Sequence, residues 1–300
     1  MPRLSRFGFR DLTPVNQALI NAIRADDPVK VKEALDNHAN PAVLTRGNNM
    51  PLHIACTEAG GAVTRLLIEH GAPIDTPNTV GSRPIHLAIS HGRVDNVAEL
   101  VKGGVPVNRP EGSKDNTLLH IALDYDRGEE AAIFLIRNGA DLTAASQNYT
   151  PLFQAVSWKR FNAASEMLVK GCSIDIRDPE GKTPLMRAIA QDNVEAVRFL
   201  IDANADANAV NNGTTPLQMA LRSKGKSRDI ILELLRGGAD IEKPENDAVR
   251  RVRNQPGLKD LFDCAVQLRQ NEIAKRFLPF TEGSAVEVAV QKPLRFKKTP

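Results

Sequence analysis

The sequence predicts an all-α solenoid of stacked helix-turn-helix units joined by hairpin loops. Three observations predict it. First, one phrase recurs six times: NMPLHIAC from Asn49, SRPIHLAI from Ser82, NTLLHIAL from Asn116, YTPLFQAV from Tyr149, KTPLMRAI from Lys182 and TTPLQMAL from Thr214. Second, the phrase keeps a fixed period, its third residue falling at Pro51, Pro84, Leu118, Pro151, Pro184 and Pro216, at intervals of 33, 34, 33, 33 and 32 residues. Third, a closing phrase recurs between these, as in LLIEHGAPID, LIRNGADL and LLRGGADI. A period of this size marks units that cannot bury an apolar face alone and must stack on their neighbours.

Each element of a unit has its own reason. Thr-Pro opens a helix, because Pro is tolerated in the first turn and the Thr hydroxyl can cap it. Apolar residues then recur at helical spacing, as at Leu185 and Ile189. A polar break follows, and a second helix runs from about Val194 to Ile201 with Val197, Leu200 and Ile201 on its apolar face. Gly71, Gly104, Gly139, Gly171 and Gly238 close the second helices, where the left-handed conformation of a helix exit favours glycine.

In chain order, residues 1–10 form a basic N-terminal segment, MPRLSRFGFR, without an apolar secretory core. An array spans 11–270. Its first, more polar repeat begins at about residue 13 (Thr13 to Asn40, with Thr-Pro and an Asp-Asp-Pro break), and further repeats begin at about 46, 79, 113, 146, 179 and 211. Residues 245–270 lack Thr-Pro-Leu and carry more charge. They are expected to be the polar cap that repeat arrays need. The pattern stops after about Arg276. Residues 277–300, with Pro279, Pro293 and a basic end, are expected to be a mostly disordered tail with one short apolar segment. Docking of this tail on the array or on a partner is the alternative.

Phrase, period and Gly-Ala-Asp closure together resemble the ankyrin-repeat family, with about seven repeats and a C-terminal cap, and the match covers residues 45–242 best. The resemblance implies that His53, His86 and His120 brace the hairpins by hydrogen bonds to neighbouring backbone. Phe153, Arg187 and Gln218 are read as their replacements in later repeats, where the bracing must differ. It also implies a concave binding side made of hairpin tips and exposed first-helix positions. Asn108 and Asn208 occupy the repeat-end Asn position, which is sometimes hydroxylated in the family; a turn-stabilising role is the reading favoured here.

The totals bound the function. With 39 basic and 36 acidic residues the net charge is +3, which argues for neither a nucleic-acid nor a membrane partner. No apolar run approaches the ~20 residues of a membrane helix. Three scattered cysteines, Cys56, Cys172 and Cys264, show no metal or disulfide spacing and point to a reducing, cytoplasmic compartment. Cys56 and Cys172 read as packing residues. Gly-Lys-Thr at Gly181 and Gly-Lys-Ser at Gly225 lack the glycine five residues earlier that a phosphate loop needs. No catalytic residue, metal site or cofactor is assigned.

The candidate partner-binding residues come from registration against the phrase. Seven residues after its third position lie Glu58, His91, Tyr125, Trp158, Gln191 and Ser223, read as exposed first-helix positions. Two residues before it lie Asn49, Ser82, Asn116, Tyr149, Lys182 and Thr214 in the hairpins. The chain has one Trp and two Tyr, and all three fall in these columns. Tyr125, Tyr149 and Trp158, with His91, Asp126, Lys159 and Arg160 around them, are therefore expected to form a patch for a protein partner. Tyr and Trp give large contact area with a polar tip and dominate interface hot spots. Packing between repeats is their alternative role. The expected function is a monomeric, non-enzymatic adaptor, inhibitor or targeting subunit. The alternatives are a microbial effector delivered into a host cell, and a small-ligand binder or enzyme with an unrecognised site.

Overall fold

The computed structural model of the chain describes residues 12–45, 49–112, 116–146, 149–222 and 228–240. The N-terminal segment, Ser223, Gly225, Cys264, the cap and the tail lie outside the described residues. Among the described residues there are fourteen helices and only isolated β-bridges at hairpins. They fall into two compact units, one ending at Ala205 and one starting at Asp206.

The first unit holds six helix pairs: α1 (Pro14–Arg24) with α2 (Pro28–Asp36), α3 (Pro51–Glu58) with α4 (Gly61–Glu69), α5 (Pro84–Ser90) with α6 (Val94–Lys102), α7 (Leu118–Asp124) with α8 (Glu129–Arg137), α9 (Pro151–Ser157) with α10 (Phe161–Val169), and α11 (Pro184–Ala190) with α12 (Val194–Asp202). First helices pack in a row from α1 to α11, and second helices from α2 to α10 pack behind them. The second unit holds the pair α13 (Pro216–Arg222) and α14 (Arg228–Arg236).

Helix starts follow the phrase. Thr13, Thr150 and Thr183 accept a hydrogen bond from the amide three residues on, at 3.4, 3.4 and 3.3 Å. Each is followed by Pro in the first turn. Helix exits follow the glycines: Gly71, Gly104, Gly139, Gly171 and Gly238 have φ of 81 to 108°. Where the sequence has no glycine, His38 and Asn204 take the same left-handed turn, at φ 63 and 64°.

The core is built mainly from Leu, Ile and Val, with Ala as its small partner. Ala55, Ala88, Ala122, Ala155 and Ala188, one per repeat, are almost wholly buried. A methyl group at this position lets neighbouring helices come close. Phe161 and Phe199 instead stack on each other at the flank, with ring centroids 4.9 Å apart.

The histidines brace as expected. His53, His86 and His120 each accept at Nδ1 the backbone N–H three residues earlier, at 3.3, 3.4 and 3.2 Å. His53 Nε2 also lies 3.2 Å from the Ser82 carbonyl of the next hairpin. Burial lowers the pKa of all three. In the second unit Gln218 reproduces this bond, its Oε1 accepting the Thr215 amide at 3.1 Å. One assignment is corrected. Counting from Pro184 puts buried Met186, not Arg187, at the His position. Arg187 stands one residue later, in register with Gln154 of the preceding repeat.

Asn108 bridges repeats: its Nδ2 donates to the Gly139 carbonyl at 2.9 Å, and its Oδ1 accepts the Asp141 amide at 2.8 Å. Asn208 makes the same pair of bonds to Gly238 and Asp240, at 2.9 and 2.7 Å, inside the second unit. Cys56 is fully buried, and its thiol pKa is pushed far up by that burial.

Candidate partner-binding surface

Of the registered first-helix positions, Glu58 is the last residue of α3, while the others among the described residues fall one step past their helices. His91, Trp158 and Gln191 are not on the helices but cap their C-terminal ends, with φ near −90° and ψ between 0 and 11°. Seven-residue first helices end just short of the counted position. The turns that follow α5, α9 and α11 are residues 91–93, 158–160 and 191–193. The turn after α7 is one residue longer, 125–128, and Tyr125 leaves the helix extended, with ψ of 138°. Tyr125 and Trp158 are thus 33 apart in sequence but not equivalent in conformation. Gly128 makes the longer turn fit, since a Cβ there would stand 2.0 Å from the Ala122 carbonyl oxygen.

All three Tyr/Trp side chains are exposed: Tyr125 44%, Tyr149 40% and Trp158 57%. Tyr149 exchanges backbone hydrogen bonds with Ser146 at 2.8 and 2.9 Å, which fixes it at the hairpin. Its ring stacks on Phe153, centroids 4.9 Å apart and 27° between planes. The Arg187 guanidinium covers both rings, 5.5 Å from the Tyr149 centroid and 5.9 Å from that of Phe153. Arg187 is held there by Asp178 at 2.5 Å and Glu180 at 3.0 Å.

Tyr149, Phe153 and Trp158 wall a pocket of about 360 Å3 whose polar lining includes Asn116, Asp124 and Gln154. Gln154 Nε2 donates to the His120 carbonyl at 3.1 Å and to the Asp124 carboxylate at 2.5 Å. An adjoining, more open depression of about 580 Å3, which shares Trp158, includes Lys159, Gln191 and Glu195. The structure brings Tyr149 and Trp158 to one pocket, and Tyr125 is not among its lining residues.

The surrounding charges are already engaged. Lys159, in the left-handed region at φ 58°, pairs with Glu195 at 2.8 Å. Arg160 pairs with the exposed Asp126 at 2.7 Å while its own side chain is only 15% exposed. His91 folds back on its helix, Nδ1 lying 2.9 Å from the Leu87 carbonyl. Phe153, Gln154, Asp124 and Arg187 were missed as site residues. The signal for Phe153 was its place at the His position of the phrase; the others depend on contacts about one repeat apart that no local pattern encodes.

A second cluster spans two hairpins. Arg83 and Arg109 interleave with Asp75 and Glu111, for instance Arg109 Nη2 to Asp75 Oδ1 at 2.9 Å and to Glu111 at 2.7 Å. Hydrogen bonding to Arg109 holds the Asp75 carboxyl below the usual range. Two cations and two anions close on each other and leave little net charge. Among the described residues no group of three or more His, Cys, Asp or Glu could hold a metal ion, and no helix is long and apolar enough to cross a membrane.

Comparison with known proteins places this geometry. A family model described as Ankyrin repeats (3 copies) matches residues 19–111 and 159–245. Among curated proteins the chain is 32% identical over 194 residues to ZDHHC13 of Danio rerio, whose name assigns it provisionally to the palmitoyltransferases, covering 62% of this chain and 29% of that protein. It is 29% identical over 198 residues to the B-cell lymphoma 3 protein homolog of Mus musculus, covering 63% of this chain and 42% of that protein. The chain thus spans less than half the length of either relative. Among solved structures, the ankyrin repeat domain of Bcl-3 is 24% identical with a TM-score of 0.58, over 74% of this chain and 97% of that domain. At that identity the likeness speaks for the fold alone.

Proposed function

The chain belongs to the ankyrin-repeat family, and on that premise we propose that it is a non-enzymatic protein–protein interaction module that captures a partner protein on the hairpin and first-helix-end surface around Tyr149 and Trp158. One observation carries the reading. The chain's two Tyr and single Trp are all exposed, while the buried core is mainly Leu, Ile, Val and Ala, with Phe153 its one aromatic among the described residues. Burying a large aromatic is the cheapest way to stabilise a core, so leaving every Tyr and Trp half in water is expected of a contact surface. A relative named for a lymphoma protein and another named for palmitoyl transfer lend this chain neither activity, since it spans only part of each.

The test is capture of partners from a lysate by the wild-type chain and by Trp158→Ala and Tyr125→Ala variants, with chemical unfolding measured alongside. The reading expects capture to fall at least about ten-fold, as for hot-spot residues, with stability changed by less than about 0.5 kcal/mol. Capture that survives both substitutions, or capture lost only because the array unfolds, would sink it.

A further inference from the structure

The pocket between Tyr149 and Trp158 has a definite chemical bias. Its walls are aromatic (Tyr149, Phe153, Trp158) or polar, and its one charged lining residue is Asp124. No basic side chain lines it among the described residues. The nearest cations are ion-paired: Arg187, which lies over the Tyr149 and Phe153 rings, to Asp178 and Glu180, and Lys159 to Glu195. Beneath the rim, Gln154 Oε1 and Ser157 Oγ are buried without a hydrogen-bond partner among the described residues.

Consider what could occupy it. An acidic side chain would face Asp124 with no cation to receive it. An aliphatic one would strip water from Asp124 and Asn116 and return no donor, which is costly. A guanidinium answers every wall. It lies flat on the exposed face of Trp158, as cations do over aromatic rings. It gives a charge-assisted hydrogen bond to the Asp124 carboxylate. Its remaining N–H groups can meet the Asn116 and Gln191 side chains that also line the pocket, since arginine carries five donors in a rigid fork. At about 360 Å3 the pocket has room for an arginine side chain.

We propose that this pocket is the subsite for an arginine side chain presented by the partner protein. The proposal rests on the reading of this surface as the partner-binding face and adds what that face recognises.

The test uses the full chain and two small probes. N-acetyl-arginine amide is titrated at constant ionic strength while emission from Trp158, the only Trp, is recorded. N-acetyl-citrulline amide, the neutral isostere, is the comparison. A saturable change with arginine is expected, with citrulline at least about five-fold weaker, because the charge-assisted bond is missing. Asp124→Asn keeps an acceptor for Gln154 but removes the charge. It should bring arginine to within about two-fold of citrulline without altering thermal unfolding. No saturable change with arginine, equal binding of the two probes, or arginine binding indifferent to Asp124→Asn would overturn the proposal. Whole-partner capture separates the two failures. Capture that needs Trp158, together with equal binding of the probes, overturns the arginine subsite and leaves the interaction module standing. Capture indifferent to Trp158→Ala overturns both.

Discussion

Gly128→Ala isolates the geometry that sets Tyr125 apart. At φ −90° and ψ −7° the backbone of Gly128 is one that alanine adopts freely, so any cost comes from contact rather than conformation. The added Cβ would stand 2.0 Å from the Ala122 carbonyl oxygen, 2.9 Å from its carbon and 3.2 Å from its Cα. All three are backbone atoms of α7, whose Ala122 is fully buried, so no side chain can swing aside. To restore ordinary contact, the start of α8 must move away from α7 by more than an ångström. Overpacking of this kind costs roughly 1–3 kcal/mol and occasionally more, and a rigid backbone neighbour puts this case at about 3 kcal/mol. The assay is urea unfolding followed by far-UV circular dichroism, with Gly139→Ala as control. Gly139 has φ 84° and open space around it, so its alanine variant pays only the left-handed penalty of about 1–2 kcal/mol. If Gly128→Ala is neutral, or costs less than the control, the close approach is not real and the account of the longer turn fails.

The remaining predictions concern braces and titration. Asn96 is fully buried and donates to the Ala55 and Ala59 carbonyls at 3.1 and 2.9 Å, so Asn96→Leu should destabilise by about 2 kcal/mol or more in the same urea assay. Burial lowers the pKa of His120 from the ordinary 6.5, so its contribution is whole above that value and is lost as pH falls through it towards the folded pKa. Unfolding free energy should therefore drop between neutral pH and pH ~5. Because Gln218 makes the same bond without a titratable ring, His120→Gln should remove its share of that dependence, leaving the shares of His53 and His86, while keeping most of the stability. Asp75, held low by Arg109, contributes stability above pH 3.8 that is lost as pH falls through its lowered pKa. Asp75→Asn should cost about 1 kcal/mol at neutral pH, kept small by partial exposure, and about nothing at pH ~2.

The helix pairs were legible because their causes are local. Thr150, Pro151 and Gly171 act within a few residues of themselves, and repetition multiplies each signal. The site was legible only in part. Tyr149 and Trp158 stood out by rarity and register, yet their pocket depends on Gln154 reaching Asp124 and on Arg187 crossing to Tyr149, contacts 30 and 38 residues apart. Counting also assumed that every turn has one length, so it paired Tyr125 with Trp158 and missed the extra residue before α8. At Arg187 the polar character matched the histidines but the register did not, since Met186 stands two residues after Pro184 as His53 does after Pro51. The four-member charge cluster around Asp75 was invisible because its partners come from two hairpins whose paths are set by three-dimensional stacking.

The four-residue turn has a consequence for selectivity of register. A row of identical turns offers a ligand several equivalent seats, displaced from one another by a single repeat, and a binder could slide among them. The turn at 125–128 removes that degeneracy. Any ligand long enough to touch the ends of both α7 and α9 meets a spacing found at one place among the first-unit turns, and so can be seated in one frame only.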